Sequence, residues 1–164
     1  MNKFLIYLGN YLINLNQKKL IFLLIAISLF KTGIWYHPAL WNMLEIAKNP
    51  FENVFGEEVK KYYLYSSWLS PFIANVLHLT NKVSFFIFHL ILSILFWIAV
   101  IFLIKKMVKK KYQKISLIIY FIFPVSMTSV YWVGYDSLLL LLFTLSIYYH
   151  KNLLINLLLS LIHI

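Results

Sequence analysis

Asp136 is the only aspartate in the chain, and it stands in Tyr131-Trp132-Val133-Gly134-Tyr135-Asp136-Ser137 just before the apolar run Leu138 to Phe143. A carboxylate at the mouth of an apolar span must be capped, paired, hydrated or used, which makes it a candidate functional group. The remaining acids, Glu45, Glu52, Glu57 and Glu58, all fall in one polar segment between apolar runs. Acidic chemistry is thus gathered in two places, which can face one another if both lie on one side of a membrane. His37, His78, His89, His150 and His163 lack ligand-like spacing, so no metal motif is present. Cysteine is absent, which removes disulfides, thiolate metal sites and thiol nucleophiles.

Each of these groups also has a plain structural reading. Asp and Ser are favoured helix caps, so Asp136 or Ser137 can cap the helix that follows, a role compatible with binding. His89, inside an apolar run, is more often a hydrogen-bonded packing residue than a proton relay. Trp35, Tyr36, Trp41, Trp68, Tyr131, Trp132 and Tyr135 fall near the ends of apolar runs, where an interfacial aromatic belt is expected; sugar stacking is the sharper alternative.

The elements that must position these residues are membrane elements. The chain is 62% hydrophobic, 19% aromatic and 12% charged, with a mean hydropathy of +0.81. Soluble domains carry roughly a quarter charged residues. The net charge of +10 comes from 15 basic residues, all lysine. They flank apolar runs rather than cluster on a polar face, which argues against nucleic-acid binding and for membrane topology.

The pattern predicts an all-α, polytopic membrane protein in a single membrane domain, with about four transmembrane helices. Residues 1–17 read as an interfacial helix, with Lys3, Tyr7, Asn10, Asn14 and Gln17 on a polar stripe and Phe4, Leu5, Leu8, Leu12 and Leu15 opposite. Membrane segments follow at 20–36, 83–104, 115–130 and 133–149. The last two are short, and Pro124 is expected to bend the third. They read as two tilted spans or as a hairpin that only partly crosses. Residues 153–164 form an incomplete apolar segment, which suggests a truncated reading frame; a short interfacial tail is the alternative.

Lysine placement sets the orientation. Lys3, Lys18 and Lys19 precede the first segment, and Lys105, Lys106, Lys109, Lys110, Lys111 and Lys114 crowd the turn after the second. The positive-inside bias therefore predicts a cytoplasmic N-terminus, a cytoplasmic loop at 105–114, and an extracytoplasmic loop at 37–82. The turn before Asp136 then lies outside as well. Within the outer loop, 39–49 has helical periodicity, with Leu40, Met43, Leu44 and Ala47 on one side and Pro50 as a stop. Ser70-Pro71 opens a second short helix, with Ser70 as the expected cap. Both helices are amphipathic and are expected to rest on the membrane surface.

This layout resembles the N-terminal part of the GT-C glycosyltransferases, membrane enzymes that take a sugar from a polyprenyl-phosphate donor. The resemblance rests on Phe123-Pro124-Val125-Ser126, on Gly134-Tyr135-Asp136-Ser137-Leu138-Leu139, and on Leu44-Glu45-Ile46-Ala47-Lys48-Asn49-Pro50 with Leu69-Ser70-Pro71 in the first loop. It is diffuse and covers residues 18–164. That family places an acidic residue directly after its first span as catalytic base, where this chain has Trp35-Tyr36-His37-Pro38. What the resemblance implies is a base at His37 or Glu45, with Asp136, Lys60, Lys61 and Trp132 toward the substrate. A base near the acceptor hydroxyl, and cations or a divalent metal ion near the leaving phosphate, are what such a transfer needs. The implied partners are the lipid bilayer and a polyprenyl-linked sugar donor, and the implied location is a bacterial inner membrane. The competing reading is a non-catalytic, transporter-like membrane subunit in which Asp136 pairs with a helix of a partner protein.

Overall fold

In the computed structural model, which describes residues 3–32, 35–36, 40–51, 68–122, 132–133, 136–152 and 155, the chain is all-α apart from one two-residue pairing. In chain order the described elements are α1 (Lys3–Asn14), α2 (Gln17–Thr32), β1 (Trp35–Tyr36), α3 (Leu40–Lys48), α4 (Leu69–Val76), α5 (Lys82–Met107), a 3-10 turn (Lys110–Tyr112), α6 (Gln113–Ile122), β2 (Trp132–Val133) and α7 (Asp136–Tyr148).

Helix α5 organises the rest. Asn81 caps it, its side chain accepting the Ser84 amide at 2.8 Å, and Lys105 and Lys106 occupy its last turn, where the helix dipole favours cations. Its 26 residues rise about 39 Å, more than the roughly 30 Å of a hydrocarbon layer. Among the described residues it is the one helix long and apolar enough to cross a membrane. Only 33% of its most apolar window is buried, where the core helix of a soluble protein is mostly buried. Its buried stripe, Phe85, His89, Leu92, Ser93, Phe96, Trp97 and Ile101, holds the polar groups. Between Lys82 at its start and Lys105 in its last turn, its exposed side is apolar: Val83, Ile87, Ile91, Ile94, Leu95, Ile98 and Phe102. The same inversion recurs at Phe22, Ile27 and Phe30 on α2, Ile115 and Ile119 on α6, and Phe143 on α7.

The ends of the long helices meet in two places. At the lysine-rich end, Gln17 at the start of α2 donates to Gln113 at the start of α6. Gln113 in turn donates to the carbonyls of Lys105 and Val108, and Lys106 at the end of α5 donates to the Tyr148 carbonyl at the end of α7. Helices α2 and α6 therefore leave this end while α5 and α7 arrive at it. Toward the other end, β1 pairs with β2 in parallel, Trp35 opposite Trp132 and Tyr36 opposite Val133. The buried Val133 fixes this pairing against the bundle.

Two apolar clusters pack along α5. Nearest the lysine-rich end, Leu20 and Leu24 of α2, Phe96, Trp97 and Ile101 of α5, and Leu117 and Phe121 of α6 form one, against which Leu12 and Leu15 rest. Toward the opposite end, Leu40, Met43, Leu44, Ile46 and Ala47 of α3 meet Ala74 of α4 and Phe85 of α5. Helix α3 thus buries its apolar face on α4 and α5, where a resting place on the membrane surface was expected, while α4 turns Ser70, Pro71 and Ala74 inward and leaves Val76 exposed. Asn75 ties them further by donating to the Ala47 carbonyl at 2.7 Å, and the Trp68 indole donates to the Pro50 carbonyl at 3.0 Å.

The expected membrane segments at 20–36 and 133–149 are longer than the helices that occupy them. Their outer ends, Trp35–Tyr36 and Val133, are extended and paired, because β-branched and aromatic residues there suit a strand. Pro124 and the apolar segment 153–164, Ile155 apart, lie outside the described residues.

Candidate functional site

Between the two apolar clusters runs a chain of buried polar groups that crosses three helices. His89 on α5 is 0% exposed and Ser70 on α4 is 1% exposed, and the Ser70 hydroxyl lies 2.6 Å from His89 Nε2. His89 Nδ1 lies 2.9 Å from the Phe85 carbonyl. A carbonyl only accepts, so the ring proton sits on Nδ1, Nε2 accepts, and Ser70 is the donor. One turn on, Ser93 donates to the His89 carbonyl at 3.1 Å, and its Oγ lies 2.6 Å from Ser137 Oγ on α7. Having spent its single proton on the carbonyl, Ser93 must accept from Ser137.

The resulting line, from Ser137 to Ser93, to the His89 backbone, and from Ser70 to the His89 ring, ties α7, α5 and α4 together. Every member has a partner, so none carries the desolvation cost of an orphaned buried polar group. Ser70 and His89 have the atom-to-atom arrangement of a nucleophile and its base, with the Phe85 carbonyl as the orienting group. Both are closed off by Phe85 and Phe88, whose rings lie 4.3 and 5.1 Å from the imidazole. As arranged, the pair locks α4 onto α5. Ser70 is therefore not the cap expected of it: α4 begins at Leu69 behind Trp68, without a side-chain cap, and the Ser70 hydroxyl turns inward.

Ser93 stands in the middle of α5, about 16 Å along the helix from Lys82 at 1.5 Å per residue. Because Ser137 contacts it, the start of α7 lies level with the centre of α5 and not with its end. Asp136 is the first residue of α7. Trp132 pairs through its backbone with Trp35, so the segment leading to Asp136 runs beside the segment leading to His37. Glu45 lies on the exposed side of α3 and forms an ion pair with Lys48 at 2.7 Å. Its side chain is 60% exposed, a setting in which such pairs contribute little. His37, Lys60, Lys61, Glu52, Glu57 and Glu58 lie outside the described residues.

His89 inside an apolar run reads as a packing residue, but nothing in the sequence pairs it with Ser70, or Ser93 with Ser137. The available signal was the i, i+4 spacing of His89 and Ser93 on an otherwise apolar helix, which puts both on one face. Tyr120 on α6 adds a buried phenol without a hydrogen-bond partner among the described residues. No cluster of His, Cys, Asp or Glu suited to a metal ion occurs among the described residues. No family model, no curated protein and no solved structure matches this chain.

Proposed function

We propose that the chain is a multi-pass membrane protein of glycosyltransferase type, transferring a sugar from a polyprenyl-phosphate donor at the extracytoplasmic face. The observation that carries this reading is the parallel pairing of Trp35–Tyr36 with Trp132–Val133. It sets the residues that enter the first loop beside those that precede Asp136, which supports the expectation that the two acidic places of the sequence share a side. The apolar exposed faces of α2, α5, α6 and α7 support a lipid setting for more than one helix, since water-soluble monomers rarely expose so much contiguous apolar surface. In this reading α6 and α7 are tilted or partly crossing segments. The start of α7, level with the middle of α5, is where this reading puts the lipid-linked donor.

The base is His37 or Glu45, Asp136 and Trp132 hold substrate, and Lys60 and Lys61 neutralise the leaving phosphate, where a divalent ion is the alternative. One observation favours a second reading. Glu45 is engaged with Lys48, and the buried polar chain is fully satisfied, as suits a non-catalytic subunit whose polar groups serve packing.

The test uses the protein expressed from its own locus. Membranes containing it are incubated with a panel of polyprenyl-phosphate-linked hexoses and pentoses, and donor consumption is followed. Consumption of one donor, lost on deletion of the gene, supports the transferase. Absence of turnover across the panel, with the protein present, leaves the subunit reading.

A further inference from the structure

The lysine-rich end carries a cavity that the transfer reading does not use. It encloses about 330 Å³ between the start of α2, the 3-10 turn and the start of α6. Lys110, Lys111 and Lys114 line it together with Gln17 and Gln113. Lys114 donates to the Ile13 carbonyl at the end of α1, 2.6 Å away, which occupies one of its three ammonium protons. Lys111 lies 4.6 Å from the centre of the Tyr112 ring. Glu45, the carboxylate side chain among the described residues, is not at this end but on α3. Three lysines bordering one small volume give it a positive potential that favours an anion.

The cavity's edge is apolar at two places, Ile13 on α1 and Ile115 on α6. Ile115 lines it, and Ile115 and Ile119 are exposed in succession along α6, 44% and 54% respectively, which makes a track leading from the cations along the bundle. A ligand matching both features has a phosphate head and a hydrocarbon tail. We infer that this cavity binds the phosphate group of an anionic phospholipid from the leaflet on the lysine side, with one acyl chain along Ile115 and Ile119. Basic pockets between membrane helices on the cytoplasmic side take lipid headgroups by this chemistry. The inference rests on the multi-pass reading above but not on the sugar-transfer chemistry.

The test is lipid retention by the purified full chain, measured by mass spectrometry from detergent after equilibration with phosphatidylglycerol or phosphatidylcholine. Phosphatidylglycerol should be retained and phosphatidylcholine should not. Lys110→Gln with Lys111→Gln and Lys114→Gln should weaken retention by at least about tenfold, as expected for cations close to an anionic headgroup. Lys105→Gln with Lys109→Gln and Lys151→Gln removes the same charge from residues that do not line the cavity and should leave retention within about twofold. Equal losses in the two triple variants would reduce the effect to net charge and overturn the site. Displacement of the lipid by millimolar inorganic phosphate would overturn the lipid assignment in favour of a free anion. Should the cavity triple variant fail to fold by circular dichroism, Lys110→Gln alone replaces it, with a several-fold loss expected and an unchanged affinity counting against the site. A cysteine at Met107, labelled by an impermeant reagent only from the cytoplasmic side, reports separately on the membrane reading. Correct labelling without lipid preference sinks this inference alone, while labelling from outside sinks the orientation on which it stands.

Discussion

The Ser70 hydroxyl and His89 Nε2 meet at 2.6 Å across the α4–α5 contact, and both residues are inaccessible. Removing the serine leaves a ring nitrogen buried without a donor. Ser70→Ala is expected to destabilise the protein by about 1–3 kcal/mol, the cost of an unsatisfied buried acceptor. Adding His89→Leu removes the orphan and should recover part of that loss. Thermal unfolding in detergent measures both. A single-variant effect within about 0.5 kcal/mol of zero would show that the contact contributes nothing beyond packing.

Helix α4 ends in a left-handed turn at a residue ill suited to it. His78 has φ of 57°. Its amide donates to the Asn75 carbonyl at 2.8 Å, while the Leu79 amide donates to the Ala74 carbonyl at 2.7 Å. This pair of bonds is the Schellman arrangement, whose left-handed position normally belongs to glycine. His78→Gly should relieve about 1 kcal/mol of backbone cost, less some gain in unfolded-chain entropy. A net rise in unfolding midpoint is expected. His78→Val, which combines β-branching with the same φ, should lower it, and the opposite order of the two variants would contradict this account.

The all-α class was legible because apolar runs bounded by lysines leave few alternatives to membrane helices. The inner face of α3 was legible too, since Leu40, Met43, Leu44 and Ala47 recur at helical spacing and all four are buried. What that periodicity could not say is what the face packs against: protein and lipid are both apolar, so the α3–α4–α5 cluster and a membrane surface leave the same mark in sequence. The β1–β2 pairing was hidden for a different reason. Trp35 and Trp132 are far apart in the chain, and two extended residues at the end of an apolar run look like the continuation of a helix. Ser70 departs from the cap that Ser-Pro at a helix start favours locally, because His89 on the next helix offers a buried partner that local sequence does not reveal.

The placement of Ser137 bears directly on Asp136. Ser137 donates to Ser93 at 2.6 Å in the middle of α5, which anchors the first turn of α7 from the side. A double-mutant cycle of Ser93→Ala and Ser137→Ala should give a coupling energy of about 0.6–1.7 kcal/mol, the range for hydrogen bonds between membrane helices. With α7 held in this way, its start does not depend on Asp136 alone. Asp136→Asn retains size and capping ability but loses the charge; Asp136→Ala loses both. If the residue serves only as a cap, Asn should behave as wild type and Ala should cost about 1 kcal/mol of stability. The transferase reading expects otherwise: both substitutions abolish sugar transfer while protein level and unfolding midpoint stay near wild type for Asn. Full transfer activity in Asp136→Asn, measured in membranes with the donor that the wild type consumes, would remove Asp136 from the substrate site and reduce it to the end of a helix.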